Sequence, residues 1–461
     1  MNPLALELAA SSAARLHFVG IAGSGMSALA QFRALGGGAV SGSDRAFDRQ
    51  QQGEDLALFQ RLGVPLHPQD GSGVNGAAAI VSSTAVEAAI PDLVHARAAG
   101  IPILHRAELL GAHVQIELSA AVAGTSGKST VTTMLFEILR HGRRDPGLIS
   151  GGDARCLKNE GVRGNAWRGK GPLVVEADES DGSLVQHAPD VGIVLNLHRD
   201  HTEPEEVLQL FHGFLERTRG ARIVGDEVEC KSLWPRSTVT GFSAAATFRG
   251  EALQLDATQC RFVIRGVPVT LPIPGAHNAS NALAAMAAAE ALGVDLATAA
   301  AALANYAGVA RRFELVGEHR GIRIVDDYAH NPRKLAAALM AAQASSPRVW
   351  AMFQPHGFGP SRFMRAELAE LIPPLLRKGE RWFFAPIHDA GGTAKRDISS
   401  GDLAVDFQAK GADAVALEHR DALLPHIRDA LQPGDTILIL GGRDNSLSPF
   451  ARSILAALAA G

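Results

Sequence analysis

The ten residues 121–130, AVAGTSGKST, constrain the fold of this chain more than any other stretch. An apolar run leads into them, and a helix-compatible run, residues 131–140, follows. In a strand–turn–helix unit, glycines let backbone N–H groups converge on a phosphate, and the helix N-terminus adds the positive end of its dipole. The stretch predicts a nucleoside-triphosphate site, although Val122 occupies the position of the first glycine in the common GxxxxGK[ST] pattern.

The residues of this loop have predicted roles in ATP binding. Lys128 is expected to reach the outer phosphates, and Ser129 or Thr130 to offer a hydroxyl group to Mg²⁺. The alternative is an ordinary turn with an exposed lysine before a core helix, and the strand and helix that flank the loop disfavour it. The expected cradle also includes Gly124, Thr125, Ser126 and Gly127.

Length and composition indicate a multidomain globular protein. A chain of 461 residues suggests about three domains, and 46% hydrophobic with 20% charged residues is ordinary globular composition. The net charge of −4 and the lack of a long basic run argue against nucleic-acid binding. Three widely spaced cysteines suggest neither a disulfide framework nor a metal site. Without a secretory signal or a membrane span in the sequence, we predict a soluble, cytoplasmic protein.

The first section of the chain alternates strand and helix patterns, which predicts a parallel, doubly wound sheet. The apolar residues 16–19 lead into a turn that contains Gly20, Gly23 and Gly25. These glycines suit a diphosphate, and Asp44 after the next strand suits a ribose or sugar hydroxyl. Glycines needed only for tight packing of helix on strand are the alternative. A dinucleotide-dependent oxidoreductase is disfavoured, because the GxxGxG spacing does not match GxGxxG.

Two apolar strands in the second section end in polar residues suited to a metal ion. One ends in Glu176, with Asp178 close behind, and the other leads to His201. Parallel strands place their carboxyl ends on one rim, so these groups are expected beside the phosphate loop. We predict Glu176 as a magnesium ligand and His201 as a ligand or a proton acceptor. For Asp178 and Glu179, a solvated loop is an equally good interpretation.

The stretch 275–281, GAHNASN, begins an alanine-rich helical region. Asn278 and Asn281 are three residues apart and share a face at the helix start. Helix capping would explain one of them, with Asn278 the better candidate, and both amides could read an adenine edge. Arg311 and Arg312 follow. Adjacent arginines are usually surface charge, but near a transferred phosphoryl group one would neutralise developing negative charge.

The third section again alternates strands with helices, as in a second nucleotide-fold domain without a phosphate loop of its own. A strand over residues 322–328 ends in Asp327 and Tyr328, and Pro332 fits the first turn of the next helix. Another strand, residues 349–353, leads into Gln354-Pro-His356. The fold class predicted for the whole chain is α/β, with a Rossmann-like first domain, a P-loop-type central domain with a parallel sheet, and a Rossmann-like third domain.

Taken together, the motifs resemble the Mur ligase family of ATP-dependent amide ligases in peptidoglycan precursor synthesis. The resemblance covers nearly the whole chain and depends on eight motifs in order. These are GIAGSGMSALA (20–30), AGTSGKST (123–130), EADESDGS (176–183), NLHRDH (196–201), GAHNASN (275–281), RRFE (311–314), DDYAHNP (326–332) and FQPH (353–356).

The resemblance implies three domains, with boundaries we place at 1–116, 117–314 and 315–461. The first would bind a UDP-N-acetylmuramate-type sugar through Gly20, Gly23, Ser24, Gly25, Met26, Ser43 and Asp44. The central domain would bind Mg²⁺–ATP, with Lys128, Glu176, His201 and Arg312 catalytic, with Ser129, Glu176 and His201 around the metal, and with His277, Asn278 and Asn281 toward adenine. The third would contact ATP through Asp327 and hold the amino acid through Tyr328, His330, His356 and Arg362.

The implied reaction joins an amino acid to the sugar carboxylate through an acyl phosphate, with domain closure assembling the site. Departures from the family pattern occur in the phosphate loop, where Ser126 replaces a histidine and Ser129 a threonine, and around the acceptor. Gly357 and Pro360 occupy positions where the L-alanine branch has arginines, and Asn331 replaces a histidine. Another acceptor, such as a recycled murein tripeptide, and a non-catalytic nucleotide-sugar sensor are therefore the alternatives. The sequence does not identify the amine, the exact sugar, the number of Mg²⁺ ions, a carbamoylated lysine or the oligomeric state.

Overall fold

The computed structural model describes residues 2–48, 54–158, 162–178, 183–197, 204–256, 258–389, 395–442, 444 and 446–460. It divides into two compact units, Met1–Val309 and Ala310–Gly461. Arg312 thus belongs to the second unit, while the predicted three-way division at 116 and 314 stays a prediction. No helix among the described residues is long and apolar enough to cross a membrane.

The first unit begins with a five-stranded parallel sheet in the order β3–β2–β1–β4–β5. This is the parallel sheet that the alternating sequence pattern predicts. Its strands are β1 Leu16–Val19, β2 Val40–Ser43, β3 Leu66–His67, β4 Ala79–Ser82 and β5 Ile103–His105. The helices are α1 Pro3–Ala10, α2 Ser24–Leu35, α3 Arg45–Asp48, α4 Glu54–Arg61, α5 Pro91–Ala98 and α6 Arg106–Ile116.

A ten-stranded sheet follows in the same unit, in the order β15–β14–β13–β12–β11–β10–β6–β9–β7–β8. Its strands are β6 Ser119–Ala123, β7 Gly147–Ile149, β8 Ala166–Trp167, β9 Leu173–Glu176, β10 Val191–Val194, β11 Ala221–Gly225, β12 Thr238–Gly241, β13 Phe248–Leu255, β14 Cys260–Ile264 and β15 Val267–Leu271. Its helices are α7 Lys128–His141, α8 Arg155–Lys158, α9 Pro204–Arg217, α10 Ala276–Ala291 and α11 Leu296–Leu303. Among the described strands of this sheet, the antiparallel pairs are β7–β8, β13–β14 and β14–β15.

Alternation along β6 explains how the two sheets of this unit share a core. Ala121 and Ala123 face a cluster that also contains Phe18 of the first sheet, whereas Ala120 and Val122 face the cluster beneath α7 and α10. Successive strand residues point to opposite faces, so a strand of small apolar residues can serve both layers. The alanine-rich α10 packs closely on the sheet because its side chains are short.

The second unit holds a six-stranded sheet in the order β16–β17–β21–β18–β19–β20, parallel except for β16 against β17. Its strands are β16 Glu314–His319, β17 Ile322–Asp327, β18 Val349–Gln354, β19 Arg381–Phe384, β20 Ala414–Ala416 and β21 Thr436–Gly441. Its helices are α12 Pro332–Ala344, α13 Phe358–Leu371, α14 Ser400–Ala409, α15 Leu423–Ile427 and α16 Leu447–Ala460. Short 3₁₀ turns in the chain are Ser72–Val74, Ser183–Gln186, Val228–Leu233, Pro373–Leu375, Arg420–Ala422 and Arg428–Ala430.

Candidate functional site

The phosphate loop lies between β6 and α7, on the rim that the sequence predicts. β6 is flanked by β10 on one side and β9 on the other, both parallel to it. Asn196, just beyond β10, accepts hydrogen bonds at Oδ1 from Thr125 Oγ1 (3.0 Å) and from the N–H of Ser126 (2.9 Å). Its Nδ2 donates to Ser126 O at 3.0 Å. A neutral amide therefore fixes the loop conformation from the neighbouring strand.

Lys128 is the first residue of α7, directly after Gly127, whose φ of 84° lies in the left-handed region. Its Nζ donates to Gly124 O at 2.8 Å and lies 3.8 Å from Asp178 Oδ1. The ammonium group is thus folded back over the loop whose glycines and helix N-terminus form the expected anion cradle. This places the one loop cation where the outer phosphates of ATP are expected.

Ser129 and Glu176 come together, as predicted for two groups that share a metal ion. Ser129 Oγ donates to Glu176 Oε2 at 2.9 Å. The same carboxylate oxygen accepts from the N–H of Gly151 at 2.9 Å and from Ser150 Oγ at 3.3 Å. A hydroxyl and a carboxylate oxygen are the hard donors that Mg²⁺ prefers, so these two residues fit the ion.

The third predicted metal ligand, His201, lies outside the described residues, as does Glu179 beside the acidic strand end. Within the described ranges, no group of three or more His, Cys, Asp or Glu side chains is arranged to hold a metal ion. The pair formed by Ser129 and Glu176 is therefore the described part of the predicted metal site. The role of His201 stays a prediction.

Asn281 on α10 lies against the phosphate loop. A Cβ atom added at Gly127 would lie 2.6 Å from Asn281 Oδ1, so only glycine leaves room for this amide. Asn278 instead donates from Nδ2 to Pro274 O at 2.7 Å. Its predicted role as helix cap is wrong, because α10 begins at Ala276 and its N-cap is Gly275, which has no side chain to form a cap. His277 lies beside Gly275, with its ring where a Cβ of that glycine would be.

The glycine turn after β1 is held by the second strand. Gly20 has a φ of 76°, and its N–H donates to Ser43 O at 2.8 Å. Asp44 accepts from the N–H of Ala22 (3.0 Å) and of Ala46 (2.9 Å) and is 8% exposed. The carboxylate predicted to bind a sugar hydroxyl therefore also braces the turn.

Two other residues predicted to bind the UDP-sugar have their side chains in the protein interior. Met26 is 3% exposed and packs in the core. Ser43 is fully buried, and its hydroxyl donates to Asp92. The buried Asp92 also accepts from the N–H of Gly71 at 2.7 Å. In this arrangement Ser43 and Met26 contribute to the sheet and its packing, and a ligand would reach their backbone rather than their side chains.

A cavity of about 110 Å³ lies between α2 and α6 on one side and the ends of β7 and β9 on the other. On one side it is lined by the flank of α2 and by α6, including Gly25, Arg106 and Leu110. On the other it is lined by the rim of the ten-stranded sheet, including Glu176 and Asp178. The predicted sugar site and the predicted metal end of the ATP site thus open into one space.

The two adjacent arginines at the start of the second unit, Arg311 and Arg312, lie in different surroundings. Arg311 is 8% exposed and donates to Gly441 O (2.6 Å), Gly442 O (2.9 Å) and Asp444 O (3.1 Å). Arg311 is therefore a structural arginine that satisfies the carbonyl groups after β21. Arg312 is exposed, with its guanidinium carbon 5.3 Å from the ring centre of Tyr328. Its head group is the one available to a ligand.

The residues predicted for the amino-acid pocket form a ring cluster after β17 and β18. The His330 ring centre is 5.5 Å from that of Tyr328 and 5.3 Å from that of His356. His330 Nδ1 lies 2.9 Å from Tyr328 O, and since a carbonyl only accepts, Nδ1 carries the proton. Burial lowers the pKa of His330 to about 4, so this imidazole is neutral near pH 7 with Nε2 as a base.

Asp327 and Arg362, the two charged residues predicted near ATP and the amino acid, have different surroundings. Asp327 accepts from the N–H of Phe313 (2.6 Å) and of Ala329 (2.7 Å). Desolvation of its carboxyl group raises its pKa, and Arg312 opposes that change. Arg362 is exposed on α13 and pairs with Asp397. The only arginine left from the family's basic run is thus engaged in a surface ion pair.

Sequence reasoning missed three residues that the structure places at the site. Asn196 was part of a recognised motif, and its position after an apolar strand beside the loop was the available signal. Arg106 follows β5 at the start of α6, but a single arginine at a helix start is not a motif from which a binding role could be predicted. Ser150 has no motif at all, since it reaches Glu176 only because β7 lies beside β9.

Comparison with known proteins gives one consistent result. Three family models match successive stretches: the Mur ligase family catalytic domain over residues 15–116, the Mur ligase middle domain over 122–289, and the Mur ligase glutamate ligase domain over 311–443. A UDP-N-acetylmuramate–L-alanine ligase of Synechococcus sp. (strain RCC307) is 34% identical, covering 93% of both chains. A ligase of the same name from Dinoroseobacter shibae is 36% identical, covering 95% of this chain and 96% of its own.

A solved structure extends the likeness to three dimensions. The crystal structure of a UDP-N-acetylmuramate–alanine ligase from Thermotoga maritima matches with a TM-score of 0.77 at 25% identity, covering 97% of this chain and 99% of that one. The predicted three-domain α/β fold, with parallel-dominated sheets, is confirmed by this match.

Proposed function

This chain belongs to the Mur ligase family, whose members are ATP-dependent, ADP-forming ligases, and from this we propose that it joins an amino acid to the carboxylate of UDP-N-acetylmuramate in the cytoplasm. L-Alanine is the proposed amino acid, as in the names of its relatives. One observation carries the proposal: a single cavity is lined by Gly25, from the glycine-rich stretch expected to hold the sugar nucleotide, and by Glu176, which bonds to Ser129 beside the phosphate loop.

The proposed reaction has two balanced steps. A carboxylate oxygen of the sugar attacks the γ-phosphorus of ATP, and the bond between the γ-phosphorus and the β-phosphate oxygen breaks. ADP is the leaving group, and the product is an acyl phosphate. The amine nitrogen then attacks the acyl carbon, loses a proton, and inorganic phosphate departs with the formation of an amide. Because both steps need little covalent help from the protein, positioning and charge stabilisation supply most of the acceleration.

The residues of the first unit bind and orient ATP in this proposal. Lys128 and the N–H groups at the start of α7 hold the phosphates, and Asn196 keeps the loop in its binding conformation. Mg²⁺, which Ser129 and Glu176 would hold, supplies positive charge that offsets the charge on the phosphate oxygens. Asn281, in contact with the loop, limits its movement from the side of α10.

The second unit supplies groups for the amine and for charge. His330 is neutral near pH 7 because burial lowers its pKa to about 4, so its Nε2 is unprotonated and can accept a hydrogen bond from the attacking amine. Arg312, exposed beside Tyr328, is the candidate for stabilising phosphate charge. Asp327, which bonds the backbone around Phe313, orients the segment that carries Arg312.

Release of inorganic phosphate with UDP-N-acetylmuramate, Mg²⁺–ATP and a panel of amino acids tests the proposal. We expect release that requires all three substrates and is fastest with L-alanine. If no amine in the panel supports release although both nucleotides bind, the ligase proposal fails and a nucleotide-sugar sensor is the better interpretation.

A second acceptor is favoured by one observation in the second unit. Arg362 is exposed and paired with Asp397, and Gly357 and Pro360 stand where the L-alanine branch has arginines. A carboxylate-binding pocket that has lost donors would recognise L-alanine less well. Adding the murein tripeptide L-alanyl-γ-D-glutamyl-meso-diaminopimelate to the panel separates the two. Turnover with the tripeptide but not with alanine would replace the first proposal.

A further inference from the structure

The cavity between α2, α6 and the ends of β7 and β9 has an unusual charge distribution for the substrate it is proposed to admit. Two of its lining residues, Glu176 and Asp178, carry carboxylates. Their negative charge opposes the entry of a substrate whose reacting group is also a carboxylate. Among the described residues that line the cavity, Arg106 is the only one with a cationic side chain.

The position of Arg106 is set by three elements. It is the first residue of α6, whose N-cap is His105 and whose capping box is completed by Glu108. Its guanidinium group lies over α2, because a Cβ atom added at Gly25 would be 2.4 Å from Nη1 and 3.1 Å from Cζ. Any side chain at position 25 would displace the guanidinium group, so Gly25 gives it access to the cavity.

The apolar lining around Arg106 strengthens its effect. Ala28 and Leu29 of α2 and Leu110 of α6 share the cavity wall with it, and Arg106 itself is half-buried. A guanidinium group in such surroundings interacts more strongly with an anion than it would in bulk water. Its planar fork of donors also matches the two oxygens of a carboxylate.

From this geometry we propose that Arg106 is a specificity-determining residue that binds the lactyl carboxylate of the sugar nucleotide and directs it toward the phosphate-loop rim. The inference rests on the proposed function, since it assumes a UDP-sugar in the cavity. Arg106 distinguishes a sugar that bears the carboxylate from one that does not. The shared diphosphate binds at the turn of Gly20 and Gly23, and its affinity does not depend on Arg106.

The test is equilibrium binding by calorimetry, with the full chain, Mg²⁺ and a non-hydrolysable ATP analogue. Two ligands are compared: UDP-N-acetylmuramate, and UDP-N-acetylglucosamine, which lacks the lactyl ether and its carboxylate. For Arg106→Ala we expect about 10- to 100-fold weaker binding of the first ligand, as for the loss of a charged hydrogen bond. Binding of the second ligand should change less than about 3-fold.

Two further variants keep the result interpretable. Arg106→Lys retains the positive charge without the planar fork of donors, so its affinity for UDP-N-acetylmuramate should lie between those of wild type and Arg106→Ala. If the alanine variant does not fold, the lysine variant is used for the test. Arg61→Ala removes an exposed arginine of the same sheet domain and should bind both ligands as the wild type does.

Each result has one meaning. Equal weakening of both ligands by Arg106→Ala and Arg106→Lys would overturn the inference, because it would place Arg106 on the shared diphosphate. Unchanged affinity for both ligands would overturn it as well. If the wild type binds neither sugar nucleotide, the proposed function itself fails, and that outcome is visible before any variant is made.

Discussion

The two glycine-rich turns of the first unit have the same strand–turn–helix arrangement but are braced differently. The turn after β1 is held by a carboxylate, since Asp44 accepts from the N–H of Ala22. The loop after β6 is held by a neutral amide, since Asn196 accepts from the N–H of Ser126. A carboxylate brace repels an anionic ligand, whereas an amide brace does not.

The cations of the two turns differ accordingly. Lys128 lies within its own loop, whereas the first turn has no lysine and has Arg106 of α6 placed over Gly25. The loop after β6 is therefore proposed to bind a triphosphate with its own residues. Beside the turn after β1, the positive charge comes from another element, since the guanidinium group of Arg106 lies over Gly25. In this proposal, similar backbone geometry serves two ligands of different charge and shape.

The largest expected effect comes from removing the cation of the second loop. Lys128→Ala should lower turnover by about 10²- to 10³-fold, because a preorganised charge on the transferred phosphate is lost. UDP-sugar binding should be retained, since the first turn does not use Lys128. Steady-state phosphate release and calorimetry measure the two effects, with the exposed Lys231→Ala as a matched control. Retained turnover in Lys128→Ala would show that the two loops differ less than proposed.

Removing the amide brace should have the next largest effect. Asn196→Ala deletes three hydrogen bonds to the loop, of about 1 kcal/mol each at most, and should weaken binding of an ATP analogue by about 10-fold or more. Asn196→Asp keeps the acceptor but adds a negative charge beside the phosphates. If the aspartate variant binds ATP as tightly as wild type, a negative charge in the brace does not weaken phosphate binding, and the proposed difference between the two turns is wrong.

The corresponding change in the first turn should affect the other ligand. Asp44→Ala removes the bonds to the N–H groups of Ala22 and Ala46 and should weaken UDP-sugar binding by about 10-fold. Affinity for the ATP analogue should be unchanged. Asp48→Ala, on the exposed helix next to it, is the control. A loss of ATP affinity in Asp44→Ala would show instead that the two turns are coupled.

The helices after the two turns also differ, and this predicts a pH effect on stability. α2 buries a neutral amide, Gln31, which bonds to Ser27 and Asn165, whereas α7 carries the largely buried Glu137. Burial raises the pKa of Glu137 from 4.5 to about 7, although the N–H of Ala307 opposes this. The folded state thus holds a proton that the unfolded state releases above pH 4.5.

Because of this difference in protonation, the free energy of unfolding should fall as the pH rises. The stabilisation by Glu137 is complete below pH 4.5, declines as the pH rises toward about 7, and is absent above it. The loss amounts to at most roughly 3 kcal/mol. Glu137→Gln should therefore flatten the free energy of unfolding between pH 5 and pH 8, as measured by urea denaturation. A wild type without this decline, or a variant that keeps it, would contradict the prediction.

Much of the candidate site could be predicted from local sequence because its parts are short and contiguous. The loop around Lys128 and the acidic end of β9 follow from glycine spacing and apolar runs. The helix start at residue 276 shows the limit of this reasoning: Asn278 has the right residue type for a cap, yet Gly275 ends the preceding segment with a φ of 102°. Residue type alone does not reveal where the backbone turns.

Contacts between distant segments could not be predicted in the same way. Arg106 and Glu176 line one cavity although 70 positions separate them, and Ser43 is buried against Asp92 rather than open to a sugar. Arg311 and Arg312 are identical residues in sequence, but one is buried under the end of β21 and the other is exposed. Such differences depend on which strands are neighbours, and that order is set by the packing of whole sheets.

The sequence by itself determined the family, the α/β class and the position of the phosphate loop, because backbone conformation over ten residues depends mainly on local glycines and periodicity. Only the tertiary structure decided which side chains face the cavity, that Asn196 braces the loop, and that the guanidinium group of Arg106 lies over Gly25. These depend on distance and burial between segments far apart in the chain. Desolvation and electrostatic strength change with that burial, so they have no counterpart in the sequence pattern.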